Sequence, residues 1–415
     1  MKRTGTLLLT LVLILACNSC TQKKMEGPIT IRYVNFEYLG PQIELINQII
    51  SEFEEENPNI KIKYDYSPKP DKVLVEIAGG AAPDVFYWNE IVDLAEKKAL
   101  VDLMPYVNKD NFNLDAYFPS IVRNYRYGNG LYALPFHLGP STLVYNKDIF
   151  DHEKVPYPDE SWTWDDLLDA AKRLTRDEDG DGSIGTFGIY LPPSCYAWIW
   201  MNGGRFFDKD ETKCLINSRE TVEAIQFFTD LTLKYKVSPT PGQVNERGAV
   251  PLFMTGKIAM TEMGAFALPE LSKIKSFKWD IAPMPFPNGK KRAYFVPMGG
   301  LCMSSQSKHK EEAWKFMKFY CGKRGMSLLA KVRNCVPAMK SVAESSLFCI
   351  SPPEHIRVYI EASDYAVELP RSAKFGKFIF QAFFPEIDEI FVGRKTVEKA
   401  VADMEGKGNE ILREE

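Results

Sequence analysis

Trp88-Asn89-Glu90 sets an indole beside an amide and a carboxylate, and the stretch Tyr196-Ala197-Trp198-Ile199-Trp200-Met201-Asn202 sets more aromatic rings close to an amide farther along the chain. With Phe266 and Tyr294, these aromatic residues lie at the ends of strand-like segments or in stretches rich in Asn, Gly and Pro. Sugar rings carry patches of C–H that pack on aromatic faces, and their hydroxyls pair with planar amides and carboxylates. The two residue types together therefore suit capture of a polyhydroxylated ring. A buried aromatic residue packs equally well with no ligand at all, so no single ring decides the matter and the cluster carries the reading.

Rival chemistries leave weaker traces. The four histidines, His137, His152, His309 and His355, have no zinc-ligand spacing. Neither a GxSxG elbow nor a phosphate loop occurs. A formal GxGxxG at Gly180, Gly182 and Gly185 follows acidic residues instead of a strand, where pyrophosphate would be repelled. The same stretch begins like a calcium loop, with Asp177, Asp179 and Asp181 at alternate positions and Gly182 at the turn. The closing acid is missing, since Gly188 stands there; calcium would need a ligand from elsewhere, and a solvated acidic turn is the favoured reading. No other cofactor is expected. Glycoside hydrolysis needs two carboxylates about 5–9.5 Å apart; Glu90 and Glu262 are the best candidates, with no local pair to support them. An enzyme of that kind, or a sensor subunit binding a non-sugar solute, stays open as an alternative.

The aromatic clusters must be held by alternating elements. Ile29 to Val34 reads as a buried strand, and Pro41 to Pro58 as a helix with Ile43, Ile46, Ile50 and Phe53 at helical spacing. Ile60 to Tyr66 and Pro83 to Trp88 read as strands, and the alternation argues an α/β fold with a largely parallel sheet. Leu131 to Phe150 holds two short strands around a Pro/Gly break, and Lys278 to Gly289 runs from a strand into a proline-rich stretch. These are the candidate crossovers between lobes. Thr163 and Asp166 form a capping box before an amphipathic helix, and Ser218 caps another. Glu311 to Cys321 reads as a helix with Trp314, Met317 and Tyr320 on one face; the tail from Glu405 is charged and expected to fray.

The chain has 415 residues, 45% hydrophobic and 26% charged, with a formal charge of −4. That is an ordinary globular composition with no basic footprint for nucleic acid. A single core stops growing near about 250–300 residues, so two lobes are expected. Lys2 and Arg3 precede an apolar run, Leu7 to Ala16, about half the length needed to span a bilayer. This suits an export leader. The run ends Leu15-Ala16-Cys17, which resembles a bacterial lipoprotein processing site, so residues 1–16 are expected to be removed, Cys17 to carry lipid, and residues 17–27 to act as a tether. Two or more acyl chains hold a protein at a membrane stably where one does not. The expected location is the cell envelope, outside the cytoplasm. Of the other cysteines, Cys195, Cys214, Cys302, Cys321, Cys335 and Cys349 are widely spread; at most one or two bridges are expected, with buried free thiols the plain reading.

The chain resembles the family 1 extracellular solute-binding proteins of ABC importers, the group that includes maltose-binding protein. The resemblance rests on ITIRYVN, FEEENPNIKI, GGAAPDVFYWN, GLYALPFHLGPSTLVYNKDIF, DGDGSIGTFG, MNGGRFFD, LFMTGKIAMTEMGAF, APMPFP and SKHKEEAWKFMKFY, in that order and spacing. It implies two α/β lobes joined by crossing strands, the type II periplasmic-binding-protein fold, with a carbohydrate held in the cleft of a monomer and delivered to a membrane permease. It implies lobe one as residues 28–137 plus 282–320 and lobe two as 138–281 plus 321–415. The ligand-binding residues it implies are Asn35 and Tyr38 in the first strand-to-helix loop, Trp88, Asn89 and Glu90 after the third strand, and His137 at the first crossover. Tyr196 and Trp198 follow in the segment that stacks on sugar, then Gly264 and Phe266, Gly299 at a turn where backbone approaches ligand, and Arg371 as a clamp. Phe266 departs from the tryptophan frequent at its position.

Overall fold

A computed structural model describes residues 27–35, 42–66, 69–177, 180–192, 196–245, 248–293, 296–367, 370 and 373–414. Among the described residues there are twelve strands: β1 (Ile29–Asn35), β2 (Ile60–Tyr66), β3 (Val85–Trp88), β4 (Arg126–Tyr127), β5 (Gly130–Leu131), β6 (Leu134–Leu138), β7 (Ser141–Asn146), β8 (Phe187–Tyr190), β9 (Ile258–Gly264), β10 (Trp279–Ala282), β11 (Met298–Met303) and β12 (Val336–Pro337). Six of them form one sheet in the order β12-β6-β11-β3-β1-β2, and four form a second in the order β10-β7-β9-β8.

Both sheets are mixed, which corrects the expectation of a largely parallel one. β1 runs parallel to β2 and β3, and β8 parallel to β9; β11 is antiparallel to β3 and β6, and β7 is antiparallel to β9 and β10. The antiparallel members are the strands on either side of the two passages between sheets. β6 and β7 are separated only by Gly139 and Pro140, yet belong to different sheets, and β10 is followed across residues 283–297 by β11 in the first sheet. A strand that re-enters a sheet from the neighbouring lobe need not obey the parallel geometry that a βαβ crossover imposes.

Helices cover the sheets, and local sequence places them. The helix Trp164–Leu174 starts at Thr163, whose side chain accepts from the Asp166 N–H while the Asp166 carboxylate accepts from the Thr163 N–H. Ser218 caps the helix Arg219–Leu233 by accepting from the Thr221 N–H. The helix Lys310–Tyr320 buries Trp314, Met317 and Tyr320 as its periodicity predicts. The stretch from Glu405 does not fray: the helix Val397–Arg413 runs through it and buries Ile411 and Leu412. An apolar stripe set among its charges holds it down, so charge density alone was a poor guide. Among the described residues, no helix is long and apolar enough to cross a membrane.

Candidate functional site

Strand direction decides which residues meet. β1 and β3 are parallel and end at Asn35 and Trp88 on one edge of the first sheet. β11 runs the other way, so it begins at that edge, with Gly300 beside Trp88 and Gly299 beside His137 at the end of β6. In the second sheet β8 and β9 end together, and Ser141 at the start of β7 pairs with Gly264 at the end of β9. Only Gly139 and Pro140 separate His137–Leu138 from Ser141. The carboxyl ends of the parallel strands of both sheets therefore meet at the crossover, the kind of edge where open α/β sheets bind ligands.

On the first lobe the structure brings Asn35, Trp88, Asn89, Glu90, His137 and Gly299 to this edge, at different depths. Asn35 is fully buried and its amide donates to the Tyr33 hydroxyl at 3.3 Å, so the side chain expected at the cleft surface lies beneath it. Trp88 is partly exposed; its indole N–H donates to the Glu90 carbonyl at 3.0 Å and its ring meets Phe86 edge-on at 6.2 Å, which fixes the ring. Asn89 and Glu90 are exposed. His137 is 5% exposed and stacks on Tyr87, with ring centroids 6.1 Å apart at 9°. Gly299 makes room for it: a Cβ there would lie 2.0 Å from His137 Nε2. Tyr38 and Arg371 lie outside the described residues.

On the second lobe, Tyr196 opens the helix Tyr196–Asn202 that follows β8 and is partly exposed, with Phe383 packed 6.2 Å from its ring. Trp198, two residues on, is a correction. It is 1% exposed, tilted against Trp164 at 5.2 Å and stacked on Phe227 at 6.0 Å, so it is a core residue and not a stacking platform. Residues two apart on a helix point to different sides, and here only one of them faces the cleft. Phe266 does offer a face: it is 65% exposed on the turn after β9. Gly264 lets that ring fold back over the strand end, since a Cβ at Gly264 would lie 2.8 Å from it.

Sequence reasoning gave no place to one exposed ring, Phe380. It is 74% exposed on a short π-helix, Ile379–Phe383, with the Phe384 ring 5.9 Å away. Single π-turns inside helices are frequent at functional sites. The run FIFQAFF was the available signal, but a helix buried on all sides would read the same way.

Two carboxyls at the site are electrostatically unusual. Glu90 is open to solvent, yet burial raises its pKa. Its Oε1 lies 4.0 Å from where a Cβ on Gly376 would stand, so the helix Ala373–Phe378 faces it. Glu262, on β9 beside Leu143, is partly exposed and pushed up to about 7 by burial, against hydrogen bonds from Trp198 and Ser141. Surrounding protein that displaces much of a carboxyl's hydration raises its pKa even where some solvent still reaches it.

Metal-binding features lie elsewhere. Asp177 accepts the N–H groups of Gly180 and Gly182, each at 2.9 Å, and Asp181 accepts that of Ser183 at 2.7 Å. Backbone amides thus occupy these carboxylates in a turn before β8, at the sheet edge remote from the crossover; Asp179 lies outside the described residues. Asp280, Glu354 and His355 bring three potential ligand atoms within 4.8 Å of one another. The Lys147 ammonium stands 4.0 Å from Asp280 and 3.5 Å from Glu354, so a cation already serves that cluster. Cys214, Cys302, Cys321, Cys335 and Cys349 are free thiols; Cys17 and Cys195 lie outside the described residues.

The family model for the bacterial extracellular solute-binding protein matches residues 40–326. The chain belongs to that family. An ABC substrate-binding protein from Listeria monocytogenes, in complex with cycloalternan, superposes on this solute-binding protein with a TM-score of 0.82 at 28% identity, covering 92% of this chain and 99% of that one. The arabinooligosaccharide-binding protein of Bacillus subtilis is 26% identical over 76% of this chain and 74% of its own length. An uncharacterized lipoprotein of Streptomyces antibioticus is 24% identical over 80% of this chain and 75% of its own. The two-lobed fold expected from the sequence is the fold found.

Proposed function

We propose that this solute-binding protein captures a mono- or oligosaccharide between its lobes and delivers it to the permease of an ABC importer, as a monomer without catalysis. The reading is carried by its likeness, over nearly the whole chain, to a substrate-binding protein complexed with a cyclic oligosaccharide. Trp88 supplies a ring face on lobe one, with Asn89 and Glu90 to receive hydroxyls; Tyr196, Phe266 and Phe380 supply rings on lobe two. His137 and Gly299 shape the floor at the crossover, Gly264 seats Phe266, and Tyr38 and Arg371 complete the set. Trp198 acts from beneath, by holding the helix that carries Tyr196.

Closure follows from differential affinity. A ligand that touches both lobes binds the closed form more tightly than the open one and shifts the population toward it. A hydroxyl missing from the ligand leaves its buried partner unpaired, at about 1–3 kcal/mol, which is the source of discrimination.

The proposed lobes are residues 28–137 plus 282–320 and 138–281 plus 321–415; β12, inside the last segment, nevertheless pairs with β6 and so joins the first sheet. Cys17 is proposed as the lipid-bearing residue of the mature chain, tethered by residues 17–27 outside the cytoplasmic membrane; the lipoprotein relative supports this. The deciding experiment is a thermal-shift screen of the mature chain against mono- and oligosaccharides. A tight ligand raises the melting point by mass action, and a screen in which no sugar does so would defeat the proposal.

A further inference from the structure

One face of β2 carries Ile60, Ile62, Tyr64 and Tyr66, alternate residues of the strand. Burial fades along it toward the carboxyl end: Ile60 and Ile62 are buried, Tyr64 is half-buried and Tyr66 is 39% exposed. Tyr64 stacks on Tyr33, its register partner on β1, with ring centroids 5.4 Å apart. The next pair on that face is Asn35 and Tyr66. There β1 supplies an amide in place of a ring, and the amide donates to the Tyr33 hydroxyl. Among the described residues no ring stacks on Tyr66 and no group hydrogen-bonds its hydroxyl. An exposed aromatic ring is ordinary by itself; here its place decides. From the crossover outward the strands run β6-β11-β3-β1-β2, so His137, Trp88, Asn35 and Tyr66 mark a single edge, the one that faces the cleft.

We propose that Tyr66 is the ring of an outer subsite, reached only by a glycan long enough to run along this edge from Trp88. β2 lies two strands from β3, about 10 Å away at the usual strand spacing, which exceeds one pyranose ring and suits a chain of about three. Val34 pairs with Phe86 and Asn35 with Tyr66, so Trp88 and Tyr66 leave opposite faces of the sheet. A glycan that touches both therefore lies across the strand ends and not along either face. A monosaccharide seated at Trp88 leaves Tyr66 in water. A trisaccharide lays its far ring against the tyrosine, burying apolar C–H and the exposed aromatic surface together. The site thereby favours oligosaccharides of about three units or more over monosaccharides, the extra affinity coming from burial at Tyr66. This inference rests on the carbohydrate reading above and deepens it.

The test is calorimetry on the mature chain with length series of whichever glycans the sugar screen finds, beginning with glucose to maltotetraose and arabinose to arabinotetraose. The expected result is affinity that rises at least tenfold from monosaccharide to trisaccharide in at least one series. Tyr66→Ala should weaken the trisaccharide at least fivefold more than the shortest member that binds. Tyr66→Phe, which keeps the ring, should restore most of that loss, and Trp88→Ala should weaken every length. Equal loss at all lengths in Tyr66→Ala, or no loss at any, overturns the outer subsite and leaves the carbohydrate reading standing. So does a monosaccharide that binds as tightly as the trisaccharide of its series. Binding of no sugar, in the series or across the wider screen, overturns the carbohydrate reading and this inference with it.

Discussion

The indole N–H of Trp198 donates to the carboxyl of Glu262, 3.4 Å away, from a ring packed against Trp164 and Phe227. One residue of the pair belongs to the core and the other to the cleft. The contact ties the packing of lobe two to the orientation of a carboxyl near the crossover.

Removing Trp198 should therefore act on stability first. Trp198→Ala opens a large cavity in a close-packed core, at about 3–5 kcal/mol. The expected outcome is a melting point lowered by many degrees with and without sugar. Trp88→Ala and Phe266→Ala, at partly exposed and exposed rings, should leave the melting point of the free protein nearly unchanged and weaken sugar binding at least tenfold. Melting curves and calorimetry on the three variants separate the two roles.

Glu262 should make the protein less stable as pH rises. Its folded-state pKa of about 7 lies above the ordinary value of 4.5. Between those values the folded chain holds a proton that the unfolded chain has released, so stability falls across that window as pH increases. Below about pH 4.5 the group is protonated in both states and costs nothing. Glu262→Gln should thus melt at the same temperature as the parent at pH 4.5 and above it at pH 8. A gap that is constant with pH would show that the carboxyl titrates normally.

Glu386 should behave in the opposite sense. Burial pushes its carboxyl up, but hydrogen bonds from Lys395 at 2.6 Å and Lys407 at 2.8 Å more than reverse this and hold it below the usual range. The stability it contributes is present above the ordinary carboxylate pKa and is lost as pH falls. Glu386→Ala leaves two ammonium groups facing a cavity between the helices Phe384–Phe391 and Val397–Arg413, and should cost about 3 kcal/mol at pH 7. Denaturant titrations at pH 7 and at a series of pH values below 4 measure the loss and its decline as the carboxyl is protonated.

Gly299→Ala should disturb the cleft floor without touching any exposed residue. The added Cβ would lie 2.0 Å from His137 Nε2, so the imidazole must leave its stack on Tyr87. The expected outcome is sugar affinity reduced at least fivefold, read by calorimetry, with a smaller loss of melting temperature than Trp198→Ala gives.

Much of this was legible along the chain. The alternation of Ile29 to Val34, Ile60 to Tyr66 and Pro83 to Trp88 with helical patterns gave the α/β class. The Thr163 and Ser218 caps marked where helices begin. The Gly139-Pro140 break showed where the chain leaves one sheet for the other. Each is a local signal, because caps, turns and periodicity act within a few residues. Phe266 and Trp88 could be proposed as rings in loops for the same reason.

What sequence alone determined is the set of elements, their order and the chemistry available to a cleft: aromatic faces, amides and acids. It did not determine depth. Tyr196 and Trp198 look alike in the chain, and only packing of one helix against Trp164 and Phe227 sends the second ring inward. Nor could it show that β11 and β12 enter antiparallel, or that Glu90 and Glu262 are reached by water and yet poorly hydrated. Burial and strand direction arise from contacts between residues far apart in sequence, and those exist only once the sheets have formed and the crossovers have brought their edges together.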